Sequence, residues 1–366
     1  MPRLTWDWGT AYDLFISLDV LHRPAEFGVR RAWAAGVRAR IPAAERKTLE
    51  QSRSLGLVPL SWVYTLAEPK DGTAVLRALG QIPPAERLPA LVLAPEWPPA
   101  DMAALLREVA ARGCWDERDR QALDACCERE HPQQSGKKTG CTAELADTLD
   151  AWAHAAEFGE RYLAALRAYQ EVFYAEEERR IPPALQAALW RAQELAERLS
   201  LPDLLEELSQ GLRLEELSRS GELVLVPSYW CTPLIYFGDL SAECRIVLFG
   251  ARSADASLIP GETVPDALLR SLEALSDPTR LRILHYLTQD ALTPTQLARR
   301  LRLRVPTVMH HLQTLRLAGL VRVIVGDGKE AKQYAARPEA LRVSFDSLKG
   351  FLENGQAESR NEIQSS

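Results

Sequence analysis

The chain of 366 residues is defined first by what it lacks. No apolar run reaches the ~18 residues a membrane-crossing helix needs, and the start, Met1-Pro2-Arg3-Leu4-Thr5-Trp6-Asp7, has no hydrophobic leader segment. No membrane partner is therefore expected, and the expected location is cytoplasmic. Cysteine is sparse: Cys114, Cys126, Cys127, Cys141, Cys231 and Cys244 do not form a disulfide framework in so long a chain and read as reduced thiols. A Gly-rich phosphate loop, a Gly-x-Ser-x-Gly elbow and a His-Glu-x-x-His helix are all missing. The carboxylate run Glu176, Glu177, Glu178 reads as one face of a solvated helix rather than a paired-acid site. The chain is accordingly not read as an enzyme, and no cofactor is called for.

One cluster of metal-compatible side chains remains. Cys127 and His131 stand at i, i+4 on one helix face, with Cys126 and Cys141 nearby in sequence, and thiolates suit zinc. The spacing matches no recognised zinc pattern, and adjacent cysteines point to different faces of a helix. A metal, a redox-active thiol and inert thiols stay open here. Inert thiols are preferred, and no metal site is assigned.

What is present is ordinary for a globular protein: 46% hydrophobic and 26% charged residues, enough for two or three domains. Residues 12–21 are too densely apolar for an exposed helix and are expected at the centre of the fold. Trp6, Trp8, Tyr12, Phe15, Trp33, Trp62 and Tyr64 crowd the first part of the chain. They suit either an aromatic-rich core or a hydrophobic pocket for a small-molecule effector. Prolines 83, 84, 89, 95, 98 and 99 cut the next region into short pieces. Helices are expected over 101–112, ending at Gly113, and over 115–130, with a loop over 131–140. Three or four further helices are expected in 143–218. The apolar stretches 221–228, 230–237 and 244–249 predict a small sheet, as does a strand near residues 4–8.

Charge divides unevenly. Residues 264–350 carry fourteen Lys and Arg against eight acids, a net +6, so the remainder is −12 in a chain of net −6. A basic module on an acidic body suits a phosphate backbone, because each phosphate neutralised releases counterions. The same segment holds the most specific motif. Thr293 is placed to cap a helix with Pro294 at its first position and Gln296 reaching back in a capping box. A second helix follows from about Val305, burying Val308, Leu312 and Leu315 at i, i+4, i+7. Its other face presents Pro306, His310, Gln313 and Thr314, flanked by Thr307 and Met309. His311 lies nearer the buried face and reads as structural. Gly319 stops the helix, residues 321–325 alternate as a strand, Gly326-Asp327-Gly328 turns it, and residues 329–335 return. Helix, helix and hairpin in that order predict a winged helix-turn-helix.

At these residues the chain resembles the ArsR/SmtB family of bacterial repressors. The resemblance rests on Leu275-Ser276-Asp277-Pro278-Thr279-Arg280-Leu281-Arg282-Ile283-Leu284, on Leu297-Ala298, on the stretch from His310 through His311-Leu312-Gln313-Thr314-Leu315 to Gly319-Leu320-Val321, and on Tyr334. It covers residues 264 to about 352, a quarter of the chain. It implies a homodimer on a pseudo-palindromic operator in double-stranded DNA, with the outer helices forming the dimer interface and half-sites roughly 34 Å apart. Leu268 and Leu272 before the module, and Phe345 and Leu348 after it, are the candidate dimer residues. Thr307, Met309, His310, Gln313 and Thr314 are the candidate base-reading residues, with Arg304, Arg322, Lys329 and Lys332 as backbone contacts. Met309 stands where the family often has a small hydroxyl residue, and it can pack on a thymine methyl. The usual metal-sensing ligands are absent, since positions 294–298 hold no cysteine and 338–352 no histidine.

The expected fold class is mainly α with small β elements. An N-terminal helical sensor or oligomerisation domain takes residues 1–250, a linker 251–263, the winged helix 264–352 and a disordered tail 353–366. The expected function is a dimeric, sequence-specific DNA-binding repressor answering an unidentified signal through its N-terminal domain. The alternative is a DNA-binding module fused to a catalytic or protein-interaction domain.

Overall fold

The computed structural model describes residues 2–93, 98–130, 138–214, 217, 220–259, 262–325 and 332–364, with the backbone alone for 130, 138–143, 214 and 354–364. The fold is mainly helical with two small sheets. The chain opens with β1 (Arg3–Trp6), α1 (Thr10–His22), a single 3-10 turn (Pro24–Phe27), α2 (Arg31–Arg40) and α3 (Ala43–Ser52). Short helices α4 (Leu60–Tyr64), α5 (Gly72–Gln81) and α6 (Pro84–Val92) follow; α6 starts at the Pro83-Pro84 pair but runs through Pro89, where the proline spacing predicts an interruption. Residues 91 and 92 close α6. Next come α7 (Ala100–Arg112), stopped by Gly113 at φ 69°, then α8 (Glu117–Glu130) and α9 (Lys138–Ala153). The loop expected over 131–140 is therefore helical from Lys138, and residues 131–137 lie outside the described part. Helices α10 (Ala155–Tyr169), α11 (Ala175–Arg180), α12 (Pro182–Ala196) and α13 (Leu201–Leu208) complete the helical run, α10 passing into α11 through a π turn at Gln170–Tyr174.

The strands β2 (Leu212–Leu214), β3 (Glu222–Ser228), β4 (Tyr236–Asp239) and β5 (Cys244–Gly250) come next. The body sheet has the order β1-β3-β5-β4, with β1, β3 and β5 parallel and β4 antiparallel. Leu223, Val224, Leu225 and Val226 are all buried, and a strand apolar at every position is one covered on both faces. Val224, Val226, Ile246 and Leu248 join the larger core with α1. Leu223, Leu225, Val247 and Phe249 pack instead against Leu201, Leu204 and Leu205 of α13. Helix α1 is buried nearly all round, the central position its composition predicts.

Of the two readings of the N-terminal aromatics, the packing favours the core: Trp33 stacks on Trp230 at 6.0 Å and meets Phe173 edge-on at 6.2 Å, while Phe15 meets Trp62 at 6.5 Å, although Tyr64 is exposed. One further feature of the body differs from the sequence expectations. The run Glu176 to Glu178 is not a solvated face. Glu177 is buried and ion-paired with Arg180, and Glu178 accepts from Thr10 Oγ1 and the Gly72 N–H, both at 2.7 Å, and from Gln170 Nε2 at 2.8 Å. Once α11 is laid against α1 and α5, those donors need acceptors, which no local pattern reports.

The C-terminal unit consists of α14 (Asp266–Leu275), α15 (Pro278–Leu287), α16 (Pro294–Leu301), α17 (Val305–Leu317), β6 (Val321–Val325), β7 (Gln333–Ala336) and α18 (Pro338–Gln364). It has its own core, including Ile283, Leu287, Leu297, Val308, Leu312, Leu315 and Tyr334. The capping box forms: Gln296 N–H donates to Thr293 Oγ1 at 3.2 Å and Thr293 N–H to Gln296 Oε1 at 2.8 Å. Residues 353–364, expected as a disordered tail, continue α18. Their Glu, Ala, Gln and Arg content supports helix once the first turns are docked.

The unit is not separated from the body by a free linker. Ala251, Arg252 and Leu258 are buried, Arg252 donates to Thr232 O at 3.0 Å, and Asp266 of α14 accepts from the Leu258 N–H at 2.7 Å. The wing also borrows a strand. Its sheet has the order β2-β6-β7, in which β2 from the body runs parallel to β6 in the register Leu212 to Val323.

Candidate nucleic-acid interface

Helices α16 and α17 are joined by a tight corner. Arg302 closes α16 in the left-handed region at φ 56°, and the Leu303 N–H returns to Ala298 O at 3.0 Å. The corner turns α17 so that Val308, Leu312 and Leu315 point inward, each fully buried, while Thr307, Met309, His310 and Gln313 are exposed. These four candidate reading residues share one open face, with Arg304 exposed at its start. Thr314 is only half-exposed, and its hydroxyl donates back to His310 O at 3.2 Å, so it lies at the margin of that face. His311 is half-buried, as its place near the inner face predicts, and burial holds its ring below the usual histidine range.

Arg299 in the last turn of α16 and Arg302 in the corner that leads into α17 are also exposed. Neither they nor Arg304 has an ion-pair partner among the described residues. Arginine is well suited to a phosphate backbone because its fork matches phosphate oxygens.

The wing differs from expectation at one position. Arg322 is not free for phosphate: it is ion-paired with Glu206 of α13, a carboxylate that also holds Arg213. The cause is the strand β2, which brings the end of α13 against β6. Arg316, at the far end of α17, is likewise turned inward. It donates to Ser209 O at 2.7 Å and Gln210 O at 3.0 Å, and burial lowers its guanidinium to about 10. Lys332 is exposed, whereas Lys329 and the turn 326–328 lie outside the described residues.

The candidate dimer residues divide. Leu268 is buried inside the chain's own core at 2% exposure, so it is not a surface residue. Leu348 is half-buried, and Leu272, Phe345 and Leu352 are exposed on α14 and α18, which pack together with Ser344 Oγ on Ser271 Oγ at 3.1 Å. Of the sulfur cluster, Cys126 is buried, with its thiol 3.7 Å from Asp101 Oδ2 and Arg129 Nη2 3.1 Å from its sulfur. His131 and the Cys141 side chain lie outside the described residues.

Residues 275–324 match the family model of a helix-turn-helix domain, a stretch that runs from the end of α14 through α17 and β6. No curated protein and no solved structure matches the chain. The chain thus carries a helix-turn-helix DNA-binding module at its C-terminal end. No helix among the described residues is long and apolar enough to cross a membrane.

Proposed function

We propose that this chain is a cytoplasmic, sequence-specific transcriptional repressor of ArsR/SmtB type that binds its operator as a homodimer and answers a signal received by the N-terminal body. The observation that carries the reading is the open face of α17. Thr307, Met309, His310 and Gln313 are exposed over a fully buried inner row, and the exposed cations Arg299, Arg302 and Arg304 at the end of α16 and the start of α17 have no ion-pair partner among the described residues. Such a face offers hydrogen-bonding and methyl-packing groups to base edges and positive charge to the flanking phosphates. The exposed apolar residues Leu272, Phe345 and Leu352 on the paired outer helices support a dimer through α14 and α18.

The body is read as a sensing and positioning unit without catalysis. Its buried acids among the described residues support this, because each is held by groups of the fold: Asp13 by the turn after β3, Asp119 by Arg112, Glu177 by Arg180, and Glu206 by two arginines. Selection of bound fragments from random DNA with the full chain tests the function, with a two-fold symmetric motif as the expected result. Failure to enrich any motif refutes sequence-specific binding. Sedimentation of Phe345→Glu tests the dimer. Monomers with weaker operator binding are expected, and an unchanged dimer removes α18 from the interface.

A further inference from the structure

The reading face of α17 does not end within its own module. Gln313 Nε2 lies 3.5 Å from Glu26 O, on the 3-10 turn that follows α1. Gly28, in the left-handed region at φ 67°, lies close to both α14 and α17. A β-carbon there would come within 2.9 Å of Arg270 Cδ and 3.9 Å of Leu317 Cδ1. Whatever lies along Gln313 therefore also meets this edge of the body.

From that turn a concave surface of about 320 Å³ opens into the body, lined by His22, Arg23, Glu26, Arg31, Arg38 and Arg53. Its charge is at odds with its surroundings. Residues 22–53 hold eight Lys and Arg against three Glu, in a body (residues 1–263) whose net charge is −10. The guanidinium groups are also poorly neutralised. Arg31 is exposed and has no ion-pair partner among the described residues. Arg38 is held by a neutral carbonyl, Leu21 O. Arg53 reaches, among the described residues, only the exposed Glu144, at 3.5 Å. Arg23 is the exception, fixed between Asp19 and Glu26. His22 uses Nδ1 on Leu18 O at 2.8 Å and leaves Nε2 buried without a partner among the described residues. Several guanidinium groups converging on one concavity repel each other unless an anion fills it, and their planar forks match phosphate oxygens.

We infer that this cleft takes a backbone phosphate of the duplex whose major groove faces α17, so that the N-terminal body extends the DNA interface beyond the helix-turn-helix module. The inference rests on the DNA-binding reading of α17. The phosphate contacts carry no base information: they add affinity and fix the angle at which the module meets the duplex.

The test uses the full chain, with binding to the selected operator and to random duplex measured across a salt series. The double variant Arg31→Ala/Arg53→Ala replaces exposed residues, and unchanged thermal unfolding verifies that it folds. The slope of log affinity against log salt is expected to fall by about 1 to 2 on both duplexes, with operator preference retained. Arg107→Ala on α7, which does not line the cleft, is expected to leave the slope unchanged. Unaltered slopes in the double variant overturn the inference, and so does an equal change in Arg107→Ala, which would report only net charge. Inorganic pyrophosphate titrated into the full chain without DNA separates the phosphate sources. If it binds and the double variant abolishes this while the DNA slopes stay intact, the cleft serves a small phosphorylated ligand and the duplex assignment falls. A wild-type chain that binds neither duplex refutes the reading of α17 itself, a result distinct from failure of the cleft alone.

Discussion

The body and the helix-turn-helix module use their polar groups in opposite ways. In the body, Asp13 is fully buried and accepts from Ser228 Oγ at 2.6 Å, Trp230 N–H at 2.9 Å and Tyr229 N–H at 3.0 Å. Arg87 is buried too, donating to Leu79 O at 2.9 Å and Gly159 O at 3.2 Å. At the end of α16 and the start of α17, by contrast, Arg299, Arg302, Arg304 and Thr307 stand in solvent. A polar group already satisfied inside the fold holds structure together, and its removal is felt as instability. A group left open is available to a partner, and its removal is felt as lost binding.

That contrast is broken most directly at Asp13. Asp13→Ala leaves three buried donors without an acceptor and is expected to cost about 3 to 5 kcal/mol in chemical denaturation. A loss below about 1 kcal/mol would mean that water replaces the carboxylate and that the body is less committed than its geometry shows. The pH dependence sharpens the same point. Burial pushes the Asp13 carboxyl up to about 6 from the ordinary value of 3.8, against its three hydrogen bonds and with help from the charge of Glu177. The folded chain therefore holds this proton more tightly than the unfolded chain. The contribution is full below pH 3.8 and is lost as pH rises through about 6, roughly 3 kcal/mol in all. Asp13→Asn should flatten that part of the stability profile, and an unchanged profile would assign the slope to other groups.

On the open side the effects are smaller and appear in binding. Gln313→Ala is expected to erode operator preference by about 1 to 3 kcal/mol with little change on random DNA. Arg304→Ala should weaken both duplexes alike and reduce the salt slope by about 0.9. If Gln313→Ala lowers both affinities equally, α17 does not read bases through that residue. The smallest effect belongs to Arg302. Its left-handed backbone is strained for any side chain with a β-carbon, so Arg302→Gly should raise stability by about 0.5 to 1 kcal/mol, read as an increase in Tm. A decrease would show that the Arg302 side chain makes a stabilising contact.

The same division explains what could be read from the sequence. The capping box at Thr293 and Gln296, the inward row Val308, Leu312 and Leu315, and the stop at Gly319 are local, each written within a few residues. The apolar stretch Leu223 to Val226 of β3 was legible as a strand for the same reason. The inward turn of Arg322 was not, because its partner Glu206 lies in a distant helix and the three residues of β2 are too few to show a period. The burial of Glu177 was hidden likewise, since adjacent glutamates look alike until α11 is packed. Leu268 and Leu272 sit on one helix stripe, yet only packing shows that the first faces the core and the second the solvent.

The borrowed strand β2 also bears on the order in which the chain becomes competent. With β6 central between β2 and β7, the wing sheet cannot close until residues from the far end of the helical run have arrived. Pairing between segments so distant in sequence is slow, because chain entropy must be lost before the contact rewards it. Maturation of the wing is thereby tied to completion of the body, and a fragment starting at residue 264 would present the β6 edge bare. Such an edge, with its row of unpaired N–H and C=O groups, invites pairing with other chains. The body thus covers an edge that its own DNA-binding module would otherwise leave open.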